Sequence, residues 1–132
     1  MGTRETLEQT AAELQGQRST GKDRRRVPRF PFVAEAEIRE KSSGASQLAR
    51  VSELSLYGCH IEMAKPLAEG TELFVKIFTG TDYFEAPAKV VFSQAEWGMG
   101  LAFHDVGLHY LPVLKKWLHA AMQQMTTMQQ QS

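Results

Sequence analysis

The chain has 132 residues, room for one domain with tails and a core of ordinary size. Its 42% apolar and 23% charged content belongs to a folded globular protein rather than a disordered one. Lys and Arg number 15 against 15 Asp and Glu, and this zero net charge excludes a surface given over as a whole to DNA or to an anionic membrane.

The N-terminus is charged at Arg4 and Glu5 and carries no apolar stretch of signal-peptide type. Met1-Gly2 with Thr6 fits the short myristoylation pattern, a loose one that a cloning scar also produces. Residues 4–15, RETLEQTAAELQ, put Leu7, Ala11 and Leu14 on one stripe and predict a short helix. Gly16 and the polar residues after it predict a flexible connector. From Phe30 the period changes to two. Phe32, Ala34, Ala36 and Ile38 face one way, with Val33, Glu35, Glu37 and Arg39 opposite. After the turn EKSSGASQ, LARVSELS and GCHIEMA read as strands around a corner at Leu56-Tyr57-Gly58. TELFVKIFT aligns Leu73, Val75 and Ile77, and GTD closes a hairpin. YFEAPAKVVFSQ continues with Phe84, Ala86, Ala88, Val90 and Phe92 in step, Pro87 suggesting an edge or bulge. WGMGLAF is the last strand. About six short strands at this turn spacing predict a small barrel or sandwich. YLPVLKKWLHAAMQQM then sets Leu111, Leu114, Leu118, Met122 and Met125 near helical spacing, with Pro112 tolerated in the first turn, and a polar tail follows.

No run approaches the ~20 apolar residues of a membrane span, so no membrane insertion is expected. The single Cys59 forms no internal disulfide, which points to a reducing, cytoplasmic setting. His60, His104, His109 and His119 never fall two to a helix turn, and Cys59 lacks a cysteine partner, so no metal site is expected. Ser55 lacks the glycines of a nucleophile elbow. GMGLAF has Phe103 where a dinucleotide loop needs its third glycine and opens no helix. Its glycines instead admit a close backbone or a ligand. No catalytic residue stands out, and the chain does not read as an enzyme.

The asymmetry lies in one place. Arg18, Lys22, Arg24, Arg25, Arg26 and Arg29 are opposed between residues 18 and 29 only by Asp23. Three readings compete: a solvated linker, a nucleic-acid or phospholipid contact, and a pocket for a compact phosphorylated ligand. Details favour the third. Pro28 and Pro31 bracket Arg29 and stiffen the stretch. Residues 24–29 hold four arginines and no lysine, and guanidinium forks match both phosphate oxygens and the O6/N7 edge of guanine. The ligand that satisfies both carries phosphates and guanines. Neutral overall charge speaks against a nucleic-acid partner.

Arg25-x-x-x-Arg29, followed 26 positions after Arg29 by Ser55 in ELSLYG, resembles the PilZ domain, whose hallmarks are RxxxR and (D/N)xSxxG. The likeness covers about residues 23–122, with the terminal helix and the GMGLAF strand included. It implies a six-stranded antiparallel β-barrel at residues 23–125 with an amphipathic C-terminal helix. Residues 1–22 are then the helix and connector, and 126–132 a disordered tail. It further implies a cytoplasmic cyclic di-GMP receptor that changes conformation on binding and regulates an unidentified protein partner. The alternative is a degenerate, non-binding domain that holds pilus or motility machinery. The site it implies comprises Arg24, Arg25, Arg29, Glu53, Ser55 and Gly58, with Arg26, Trp97 and Gly100 as further candidates. Arg25 and Arg29 would grip guanine edges and phosphates, and Ser55 and Gly58 would shape the opposing wall. Arg24 resembles the extra base of members that bind two stacked ligands. Trp97 is either a stacking surface for a base or a cover for the core. Cys59, Ile61 and Met63 are assigned to packing. Glu53 departs from the Asp or Asn of the family motif. Its carboxylate still accepts from guanine N1–H and N2–H₂, but from one bond further out.

Overall fold

Alternating burial along the longer strands wraps one face of the chain around a common centre. The computed structural model describes residues 28–131, with side chains through residue 126. The helix and connector expected before residue 23, and the basic residues Arg18, Lys22, Arg24, Arg25 and Arg26, lie outside that range. Six strands follow one another: β1 (Phe30–Glu40), β2 (Ser46–Leu54), β3 (Gly58–Glu62), β4 (Glu72–Phe78), β5 (Tyr83–Gln94) and β6 (Gly98–Phe103). They form a closed antiparallel barrel in the order β1-β2-β3-β6-β5-β4, with β4 pairing back onto β1. Closure leaves no row of unpaired backbone groups.

The period-two pattern decides what goes inside. Ala36 and Ile38 of β1, Leu73, Val75 and Ile77 of β4, and Phe84, Ala86, Ala88 and Val90 of β5 are buried. A fully buried Val, Leu, Ile or Phe side chain contributes roughly 1.5–3 kcal/mol relative to its exposed state. Helix α1 (Leu111–Gln131) covers β1 and β5 and buries Leu114, Trp117, Leu118 and Ala121. The Trp117 and Phe32 rings meet at 5.2 Å there. Pro87 stands opposite Phe74 on β4, one residue short of the pairing with β6 that begins at Ala88. It owes no ladder hydrogen bond on that side, and its carbonyl accepts from the His104 amide at 3.0 Å.

Helix α1 continues to Gln131, into the stretch expected as a tail. Gln and Met are good helix formers, and no Gly or Pro interrupts them. Phe92 leaves the inward row of β5. The ladder shifts between Val90 and Phe92, and this extra residue takes the ring out of the core and onto the barrel's outer face.

Candidate ligand-binding site

The site is built around a corner. Ser55 leaves β2 and Gly58 starts β3, and the Ser55 hydroxyl accepts from the backbone N–H groups of Tyr57 (3.2 Å) and Gly58 (3.1 Å). It also lies 3.3 Å from the Gly58 carbonyl, to which the hydroxyl donates, and the Ser55 amide donates to that carbonyl at 2.8 Å. Ser55 is buried. A short hydroxyl that folds back on the amides two and three residues ahead is the chemistry of a tight serine turn. Gly58 is required by packing, since a Cβ there would strike the Leu101 carbonyl oxygen of β6.

Just upstream the strands slip. Phe32 and Val33 of β1 stand against Ser52 alone, and Ser52 is also the extra residue opposite β3. These bulges re-aim the chain and align one row across five strands: Pro31, Glu53, His60, Gly100 and Phe92. Over this row lies an open cleft of about 610 Å³, lined among others by Pro31, Glu53, His60, Glu62, Glu96 and Trp97. Arg29 Nη1 sits 3.8 Å from Glu53 Oε1, both side chains about half exposed (49% and 48%). At that exposure an ion pair contributes little, about 0–1 kcal/mol, so Arg29 is held near the cleft without being committed to Glu53.

The rim of the cleft is the turn between β5 and β6. Glu96 adopts a φ of 68° and Gly98 one of 127°. The Glu96 amide donates to the Ala64 carbonyl at 2.9 Å, tying the turn to the exit of β3. Trp97 is 46% exposed, so it does not cover the core. Its ring lies 4.0 Å from that of His60 and 5.2 Å from that of Phe92. Gly100 makes this possible, because a Cβ at residue 100 would run into the Phe92 ring.

The structure therefore sorts the candidate residues. Arg29, Glu53 and Trp97 are exposed at or beside the cleft. Ser55, Gly58 and Gly100 make their contacts within the barrel wall and shape the site through the backbone they allow. Arg24, Arg25 and Arg26 lie outside the described residues. Cys59, Ile61 and Met63 pack in or against the core. Burial pushes the Cys59 thiol up to about 12, which keeps it neutral and unreactive. His60, Glu62 and Phe92 are cleft or rim residues absent from the candidate set. Alternation from Gly58 places His60 and Glu62 on its outward face, but nothing in the sequence ties His60 to a tryptophan 37 positions away.

Among the described residues no group of three or more His, Cys, Asp or Glu side chains is placed to hold a metal ion. No helix among them is long and apolar enough to cross a membrane.

The family model of the PilZ domain matches residues 23–120. Among solved structures, the chain is similar to the PilZ domain of CeSA from a cellulose-synthesizing bacterium, at 16% identity and a TM-score of 0.55. The match covers 67% of this chain and 92% of that one. A search of curated proteins found no match.

Proposed function

Because the chain belongs to the PilZ domain family, a cyclic di-GMP receptor fold, we propose that it is a cytoplasmic receptor and adaptor for that nucleotide. The observation that carries the reading is an open cleft lined by Glu53 and Trp97, with Arg29 beside it, 3.8 Å from the Glu53 carboxylate. A guanidinium suits phosphate or the guanine O6/N7 edge, a carboxylate accepts from the guanine N1–H and N2–H₂ donors, and an indole offers a stacking face.

The same cleft explains the arginine-rich arm. Its described wall carries the carboxylates of Glu53, Glu62 and Glu96. A ligand with two phosphates is repelled by such a wall unless positive charge arrives with it. In this proposal Arg24 and Arg25, with Arg26 in support, supply that charge, and Arg29 trades its loose pairing with Glu53 for the ligand. Ser55, Gly58 and Gly100 keep the opposing wall in shape. Binding changes the conformation of the chain, and the new surface meets a protein partner. Differential affinity of the ligand for the two arrangements drives the change.

Isothermal titration with cyclic di-GMP tests this. Binding is expected, and Arg25→Ala and Arg29→Ala each remove most of it. No heat at high micromolar ligand in low salt sinks the receptor reading. It leaves the second one, a non-binding interaction domain of pilus or motility machinery, which the longer acid at Glu53 favours.

A further inference from the structure

A base-stacking surface works only if its plane is fixed before the ligand arrives, because ordering a side chain on binding subtracts from affinity. Trp97 occupies a turn, the least constrained place for such a surface, yet it is held from three directions. The His60 ring lies 4.0 Å from the indole at an interplanar angle of 51°. The Phe92 ring lies 5.2 Å away at 28°, nearly parallel, and backs it. His60 Nε2 lies 3.3 Å from the Trp97 backbone oxygen. A carbonyl only accepts, so Nε2 carries the hydrogen and donates it, and this fixes the backbone of the turn as well as the ring.

With Nε2 donating, Nδ1 is left buried and with no hydrogen-bond partner among the described residues. His60 is 7% exposed. A buried polar atom without a partner is a cost that phenylalanine would avoid at this position. What phenylalanine cannot supply is the N–H that grips the Trp97 carbonyl. The polar function of the ring is therefore spent on Trp97. Phe92 reaches its place only through the ladder shift after Val90 and the missing side chain of Gly100.

We infer that His60 is the positioning residue that fixes Trp97, backed by Phe92, as the stacking surface for a guanine base in the cleft. This rests on the cyclic di-GMP reading above. His60 touches no ligand in this account. It acts through Trp97.

The test uses the full chain carrying Trp117→Phe, which leaves Trp97 as the single tryptophan of the two in the sequence. Acrylamide quenching of Trp97 without ligand reports its position, and calorimetry with cyclic di-GMP reports its use. His60→Ala is expected to increase quenching and to weaken binding about tenfold, the scale of one lost base stack. His60→Phe keeps the ring contact and loses the N–H, and should fall between that variant and the parent, with intermediate quenching and binding about threefold weaker than the parent. Arg29→Ala should abolish binding without changing ligand-free quenching. A folded His60→Ala protein with unchanged quenching and unchanged affinity overturns the inference, and so does a Trp97→Ala protein that binds as the parent does. Either result leaves the receptor reading intact if Arg29→Ala still abolishes binding. If the parent gives no heat, the receptor reading and the ligand role of Trp97 both fall. Should His60→Ala fail to fold, Phe92→Leu takes its place with the same expected increase in quenching and loss of affinity, and no change in either overturns the inference.

Discussion

Two clefts of similar size open on the outer face of this barrel, and they are built by opposite means. The one at Glu53 and Trp97 has about 610 Å³ and the one at Val33, Leu48 and Phe78 about 720 Å³. At the first, β2 and β5 each carry an extra residue, and Gly58, Gly98 and Gly100 are all positions where a Cβ would strike a neighbour. The second is reached by the β1 bulge at Val33, but β1 and β4 pair there through six consecutive residues without a shift, and Gly80 has open space where its Cβ would stand. The difference teaches that volume does not mark the site. Broken register combined with forbidden Cβ positions does, because together they bring an acid, an imidazole and an indole to one level of the wall.

The strongest way to break this comparison is to give both regions the same substitution. Gly98→Ala places a Cβ on the Ile61 carbonyl oxygen at a φ of 127°, a conformation L-residues rarely adopt. Overpacking and backbone strain together should cost about 3 kcal/mol or more. Gly80→Ala should stay within about 0.5 kcal/mol of the parent. Chemical denaturation of the two variants measures both, and equal losses would erase the distinction. Gly100→Ala belongs between them, because the Phe92 ring it would meet can swing aside.

The next effect is smaller and concerns the reading of the ligand. Glu53→Asp shortens the acid by one methylene and restores the residue type of the family motif. Calorimetry with cyclic di-GMP should show affinity equal to the parent or tighter, by no more than about tenfold, the scale of one charge-assisted hydrogen bond. Markedly weaker binding would show that the cleft, with Arg29 3.8 Å from the Glu53 carboxylate, is built for the longer acid.

These two regions were not equally legible in the sequence. Strands, corner, hairpin and helix follow from the period of the apolar residues and from Gly and Pro punctuation, and those signals are local. Ser55 and Gly58 were also legible, three residues apart within one motif. Their role needed the structure, because the Leu101 oxygen that excludes a side chain at residue 58 comes from β6. Phe92 was misplaced for a related reason. Period two puts it in the core, and only the pairing of β5 with β6 reveals the residue that breaks the period. His60 was missed because its meaning lies wholly in a contact with Trp97 across the barrel wall. Bulges and cross-wall contacts are properties of pairs of strands, and one strand's sequence does not contain them.

The smallest expected effect tests the regular side of the comparison, where stability rests on ordinary surface pairs. Asp82 closes the β4–β5 hairpin, and Lys116 Nζ of helix α1 donates to its carboxylate at 2.6 Å. That hydrogen bond from Lys116 holds the Asp82 carboxyl below its usual value of 3.8. A carboxylate with a depressed folded-state pKa stabilises the protein above its unfolded value and loses that contribution as pH falls through the folded one. Asp82→Asn should therefore melt slightly lower than the parent at pH 7, with the gap narrowing in high salt. As pH falls below about 4, where the unfolded carboxylate takes up its proton, the two melting temperatures should converge. Thermal melts from pH 7 to pH 2 check this. A gap that stays constant down to pH 2 would assign the role of Asp82 to the shape of the turn and not to its charge.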